Sequence, residues 1–340
     1  MSAGGTPVIE VRNLVRRFPV AQGLLRRPLG TLAAVDDVSF DVISGETLGI
    51  VGEHGAGKST TARLLARLLA PTSGEIRFQG RNIAAARGAE LGQLRRDVQM
   101  IFADPTSCLN PHRPVGASIG EPYAIHALHS GPGERRRRVE GLMQRVGLDP
   151  AHHDRYPHEF SSAERQRAGI ARAIALEPKV LIADEPVAAL DPSLQTQVLN
   201  LLRELQRERG LTLVFLTTDL AVASQVCDRL AVMYLGKVLE LAPNEALVVF
   251  PRHPYTGVLL SAVAGAPRKR ELITGEMPGR GHVPSGCRFH PRCPKAELMC
   301  SGHEPPLVDK GGGTVAACHY PLTAEESDSR LAAGAVEGTP

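Results

Sequence analysis

The chain has 340 residues, enough for two or three structural units rather than one. Hydrophobic residues make up 43% and charged residues 22%, with a formal net charge of only +3, so a sizeable core is available and the basic excess of a nucleic-acid binder is missing. Tryptophan is absent and aromatics are 4%, which argues against stacking platforms for single strands. Residues 1–8 are small and polar, with no basic stretch before an apolar run, so no secretory leader is expected. No run approaches the ~18–20 apolar residues that span a bilayer. The expectation is a cytosolic chain attached to the membrane through a partner. Its six cysteines are then thiols or metal ligands rather than disulfides.

In chain order, Val8-Ile9-Glu10-Val11 opens a strand, residues 34–42 alternate in part, and a turn at Gly45-Glu46 precedes the apolar run 47–51 (TLGIV). A glycine-rich turn follows, then a helix over 60–70 (TTARLLARLLA), with Leu and Ala at helical spacing. Residues 71–103 return to strand character and end in 98–102 (VQMIF). From about 104 to 165 the chain is punctuated by proline and helical, including 134–146 (ERRRRVEGLMQRV), and predicts an inserted helical subdomain. Strands at 180–183, 213–216 and 230–234 then alternate with helices, which argues for an α/β fold with a mostly parallel sheet covered on both faces. From about 246 the chain is rich in Pro, Gly and Cys and reads as a small appendage, and the residues after Glu325 are expected to be disordered.

Gly52-Glu53-His54-Gly55-Ala56-Gly57-Lys58-Ser59-Thr60 fits the phosphate-loop pattern of Gly, four residues, Gly-Lys-Ser/Thr. Glycines let backbone N–H groups approach phosphate oxygens without a Cβ in the way. Lys58 supplies charge for the terminal phosphates, Ser59 offers a hydroxyl to Mg²⁺, and the helix starting near Lys58 points its positive end at the anion. A chance match to a glycine-rich turn is the bland alternative. The apolar strand before the motif and the Leu/Ala helix after it count against that. A second apolar strand ends in Asp184-Glu185-Pro186. Asp184 suits the water shell of Mg²⁺ and Glu185 suits polarising an attacking water. Alone, the pair could be a solvated acidic turn.

With these motifs in order, the chain resembles the ATP-binding subunits of ABC transporters, in the di- and oligopeptide importer branch of the oligopeptide-permease second-ATPase type. The resemblance rests on residues 52–60, 99–111 (QMIFADPTSCLNP), 156–173 (YPHEFSSAERQRAGIARA), 182–192 (IADEPVAALDP), the segment His253-Pro254-Tyr255-Thr256 and the cysteine tail. It implies a RecA-like phosphate-loop core with an N-terminal antiparallel β subdomain over 1–103 and 166–245. It further implies a helical signature subdomain over 104–165, a four-cysteine extension over 246–325 and a disordered tail over 326–340. It implies Mg-ATP sandwiched in a head-to-tail dimer, two transmembrane permease subunits, an extracytoplasmic substrate-binding protein, and a peripheral place on the cytoplasmic face of the plasma membrane. Asp191 would lie at the dimer interface, and Phe18 is a candidate for stacking on adenine, with an ordinary core phenylalanine as the alternative.

Three positions depart from the family pattern. Ala103 stands where a Gln is usual. Phe160-Ser161-Ser162-Ala163-Glu164 replaces the signature Leu-Ser-Gly-Gly-Gln, adding Cβ atoms and a negative charge where the partner's ATP would dock. Thr218 replaces the switch histidine. These departures predict the slow-hydrolysing half of a heterodimer whose second ATPase is more typical; the alternative is a non-hydrolysing regulatory subunit. A soluble ABC protein acting on nucleic acid fits poorly, because the chain has neither two ATPase halves nor zinc-finger insertions.

Cys287, Cys293, Cys300 and Cys318 are separated by five, six and seventeen residues. The resemblance implies a 4Fe-4S cluster there; a Cys₄ zinc site and four unliganded thiols are the alternatives. Cys108 and Cys227 are expected to be ordinary core thiols, Arg135 to Arg138 a solvated helix face, and His152-His153 no metal site.

Overall fold

The computed structural model describes residues 5–22, 27–104, 108–129, 131, 133–263, 278 and 283–327, so the expected tail lies outside the described residues from 328 onward. The chain divides into two compact units, Met1–Ala84 with Thr217–Pro340, and Ala85–Leu216. The first unit begins with β1 (Pro7–Gln22), β2 (Arg27–Ile43), β3 (Thr47–Val51), α1 (Lys58–Leu65), β4 (Ser73–Phe78) and β5 (Arg81–Asn82). The second unit supplies α2 (Gly88–Asp97), β6 (Val98–Ile101), α3 (Val115–Ile119), α4 (Glu121–Ile125), α5 (Glu134–Arg145), α6 (Ser162–Ile174), β7 (Val180–Asp184), α7 (Pro192–Arg209) and β8 (Thr212–Thr217). The chain returns to the first unit with α8 (Leu220–Val226), β9 (Arg229–Tyr234), β10 (Lys237–Pro243), α9 (Asn244–Val249), α10 (Pro254–Ser261), α11 (Leu298–Gly302), β11 (Val308–Asp309) and β12 (Val315–Ala316).

In the first unit, β2-β1-β4-β5 form an antiparallel sheet. A separate run of strands has the order β11-β12-β10-β9-β3. There β3 is parallel to β9, and the remaining pairs are antiparallel. Every residue of β3 is buried, as its unbroken apolar run requires of a strand covered on both faces. The C-terminal segment does more than append itself: β12 pairs with β10 at Glu240↔Ala316 and Leu241↔Val315. In the second unit β6, β7 and β8 are parallel neighbours, and all five residues of β7 and all six of β8 are buried.

Two expectations change. Residues 88–97 are helical, not extended. Only Leu94 of α2 is buried, so the segment carries almost no apolar periodicity to reveal a helix. The helix expected over 60–70 stops at Leu65 and continues as turns, with Arg67 at φ 52 donating from Nε to Ile83 O (2.7 Å).

Candidate functional site

Residues 52–60 connect β3 to α1 within the first unit. Glycine is required at two of them. A Cβ on Gly57, at φ +107, would stand 2.4 Å from Ala34 O, and one on Gly52 would stand 2.1 Å from Met233 O. Lys58 is buried, and its Nζ donates to Gly52 O (2.8 Å) and Glu53 O (3.3 Å), drawing the ammonium across the turn. The loop is pinned from inside by Ala56 N–H donating to Glu53 O (3.1 Å), and from a neighbouring turn by Gly236 N–H donating to Ala56 O (2.8 Å). Gly57 gives α1 no side-chain cap, so the first-turn N–H groups face the loop uncovered by a capping side chain. Ser59 and Thr60 are half-buried, and His54 and Gly55 are exposed at the tip. This is the chemistry of an anion cradle: fixed N–H groups, a helix N-terminus and one buried cation. Phe18 is half-buried on β1 beneath the Arg16 guanidinium (4.7 Å), so it is not a core phenylalanine.

The second unit holds the carboxylates. Asp184 is the last residue of β7, buried, and paired in register with Leu216 of β8. Glu185 is half-buried at φ 47, a left-handed backbone that a glutamate seldom adopts. Its N–H donates to Leu216 O (2.9 Å), which holds the strained turn and fixes where the carboxylate leaves the strand. Beyond β6, Phe102 and Ala103 are exposed. Asp191 is exposed and caps α7, accepting from Ser193 and Leu194 N–H (3.1 Å each). In the first unit, Thr218 is half-buried between the end of β8 and Asp219, which caps α8.

Ser161 caps α6 in a reciprocal box. Its N–H (2.8 Å) and hydroxyl (2.7 Å) both donate to Glu164 Oε2, and Glu164 N–H returns a bond to Ser161 Oγ (3.3 Å). The Ser161 hydrogen bonds hold the Glu164 carboxyl below its usual range. Glu164 is therefore both the added charge and the acceptor of the Ser161 hydroxyl's hydrogen bond. Ser162 is exposed and Ala163 buried beside it.

The four C-terminal cysteines, spread over 32 residues of sequence, line one small cavity together with His253 and His290. Burial pushes the Cys287 thiol up to about 11 and the Cys318 thiol up to about 12, and the neighbouring cysteines add to both. His253, fully buried, caps α10 by accepting from Tyr255 N–H at Nδ1 (3.0 Å), which places its proton on Nε2. That Nε2 has no hydrogen-bond partner among the described residues. No group of three or more His, Cys, Asp or Glu side chains among the described residues is placed to hold a single metal ion. Cys227 is buried, as expected of a core thiol; Cys108 is half-buried instead, with Sγ on Asp104 O (3.1 Å).

Two contacts at the phosphate loop were not legible in the motif. Glu53 N–H donates to the Tyr255 hydroxyl (3.1 Å), and the Glu53 carboxylate takes an ion pair from Arg292 (3.0 Å). Tyr255 lies in the His-Pro-Tyr-Thr segment, which the sequence offers only as a family mark, and Arg292 precedes Cys293.

Comparison with known proteins agrees with this construction. The ABC transporter family model matches residues 35–188, and the oligopeptide/dipeptide transporter C-terminal region matches residues 239–300. The chain is 44% identical over 325 residues to the oligopeptide transport ATP-binding protein AppF of Bacillus subtilis, covering 94% of this chain and 98% of that one. It is 46% identical to a probable peptide ABC transporter ATP-binding protein of Sinorhizobium fredii, over 92% and 89%. The glutathione import ATP-binding protein GsiA of Escherichia coli K12 is 48% identical over 82% of this chain, which spans only 45% of that longer protein. Among solved structures, an ATP-binding cassette captured as a dimer after hydrolysis with ADP and Pi matches at TM-score 0.62 and 26% identity, over 69% of this chain and 98% of that one. Among the described residues no helix is long and apolar enough to cross a membrane. By sequence along nearly its whole length and by cassette fold, the chain belongs to the ATP-binding proteins of ABC transporters, in the branch that carries the oligopeptide/dipeptide transporter C-terminal region.

Proposed function

We propose that this chain is the ATP-binding subunit of a peptide-type importer, binding Mg-ATP head-to-tail with a second, more typical ATPase. It drives two membrane permease subunits, served by an extracytoplasmic binding protein, from the cytoplasmic face of the membrane. Gly52, Gly55, Ala56, Gly57, Lys58 and Thr60 cradle the phosphates, with His54 at the loop tip and Phe18 toward the base. Ser59 and Asp184 serve Mg²⁺, and Glu185 polarises the attacking water. Residues 104–165 carry the signature and face the permease, and Asp191 lies at the subunit interface. The names of the similar proteins support peptide cargo, with glutathione the second choice.

The single observation that carries the degenerate half is the Ser161–Glu164 box. A carboxylate held ionised at the helix end that should receive the partner's γ-phosphate opposes it, and the serine hydroxyl already donates its hydrogen bond to that carboxylate. Ala103 and Thr218 remove two further polar contacts. Glu185 favours residual hydrolysis over the purely regulatory alternative.

The four-cysteine cavity is read as the seat of a structural 4Fe-4S cluster. Four thiols face one space, with an unpartnered buried N–H at its wall. A Cys₄ zinc site is the alternative for the same four thiols. A cluster spreads its ligands over several irons.

The test is ATP turnover by the reconstituted transporter carrying Glu185→Gln in this chain only. A fall to background means that Glu185 activates water and this site powers transport. Unchanged turnover means that this site only holds ATP, and sinks the hydrolytic reading.

A further inference from the structure

The first residue after Gly52 of the phosphate loop is a glutamate, and a carboxylate there faces an electrostatic problem. It sits in the very turn read as the cradle of a polyanion, where an unpaired negative charge repels the ligand. Two residues of the C-terminal extension act on it. Arg292, nearly buried, reaches the Glu53 carboxylate at 3.0 Å and donates from the same nitrogen to the Tyr234 hydroxyl at 3.1 Å. Tyr255, fully buried, accepts the Glu53 backbone N–H at 3.1 Å. Both are set in a packed aromatic trio. Tyr234 and Tyr255 lie 4.9 Å apart, Tyr255 and Phe289 5.1 Å, and Tyr234 and Phe289 5.4 Å, and all three are fully buried. All of these groups belong to the first unit.

We propose that Arg292 and Tyr255 are positioning residues for nucleotide binding: Arg292 neutralises Glu53, and Tyr255 fixes the backbone at the start of the phosphate loop. A cradle made of backbone N–H groups binds well only if its turn is already ordered, since otherwise binding must supply the ordering entropy. The trio provides a stiff base for that order, because packed rings have few alternative rotamers. The Cys-rich extension thereby acts on the ATP site through Glu53, whatever its four thiols hold. The proposal rests on the nucleotide reading of residues 52–60 and on nothing about the metal.

The test is Mg-ATP affinity of the purified full chain, alongside the melting temperature without nucleotide. Tyr255→Phe keeps the ring and its packing and deletes only the hydroxyl; Arg292→Gln removes the cation. Each is expected to weaken binding roughly fivefold, a loss larger than any fall in the nucleotide-free melting temperature accounts for. Combined with Glu53→Gln, Arg292→Gln is expected to add no further loss, which a general packing defect would not produce. Arg292→Lys, which retains a cation, is expected to recover part of the affinity. Wild-type affinity in both Tyr255→Phe and Arg292→Gln overturns the proposal while leaving the nucleotide reading intact. Additive losses, or losses that merely follow a lowered melting temperature, overturn it as well. Failure of the wild-type chain to bind Mg-ATP, with Lys58→Ala no different, overturns the nucleotide reading and this proposal together.

Discussion

At position 164 a change from the family's amide to a carboxylate does two things that geometry links. It adds a charge, and it recruits the Ser161 hydroxyl as its donor. Glu164→Gln separates them, because a glutamine keeps the capping box while losing the charge. The helix should therefore stay folded. ATP-dependent association with the second ATPase subunit should strengthen by on the order of 1 kcal/mol, about fivefold. Association measured at fixed Mg-ATP checks this; no gain, or a loss, would mean that the carboxylate is not what weakens the composite site. In the sequence, Glu164 was legible as an added charge in an altered signature, but not as the second half of a capping box on Ser161. Nor was it legible that the serine hydroxyl donates its hydrogen bond to the glutamate and not outward, since that depends on side-chain rotamers.

Between elements, Glu240 on β10 binds the start of α10. It is fully buried and accepts from Arg252 N–H (2.7 Å) and His253 N–H (2.9 Å). Burial outweighs these donors and pushes its carboxyl up to about 7. The unfolded chain releases this proton near pH 4.5. Between those values the folded chain therefore binds more protons than the unfolded one. The stability contributed by Glu240 is fully present below pH 4.5 and declines as pH rises through about 7. Wild type should lose about 3 kcal/mol relative to Glu240→Gln across that window. Denaturant unfolding of both chains at several pH values measures the difference; parallel pH profiles would refute it. A buried Glu on a strand of apolar neighbours gives no sequence sign of this joint, because its partners are backbone amides of a helix start. Strands β3, β7, β8 and β9 were legible because both faces are covered and their apolar runs are unbroken. Helix α2 was not, because it buries one side chain.

For the whole molecule, the question is what the chain can do without its counterpart. With its signature altered, two identical copies would form two poor composite sites. The purified chain with Mg-ATP is expected to turn over near background, and addition of the second ATPase subunit with an intact signature to restore hydrolysis at least tenfold. A homodimer working at the rate of an intact ABC ATPase would sink the degenerate reading. Much of the candidate site was legible because its parts are contiguous: a phosphate loop or a strand ending in two carboxylates is a local pattern with a local physical reason. The joint between Glu53 and Arg292 is different in kind. Its partners are 239 positions apart, and only the folded chain brings them to 3.0 Å. The four cysteines fall between these cases. Their number pointed to a shared centre, but their common cavity depends on how residues 287–318 fold.

The left-handed backbone at Glu185 also sets two kinds of selection against each other. Glycine adopts φ 47 without strain, so a population chosen for heat resistance alone should drift toward Gly or Asn at that site. The same drift would remove the carboxylate proposed to polarise the attacking water. The most stable descendants of this chain and the most active ones would part company at one position, where robustness and work cannot be improved by the same substitution.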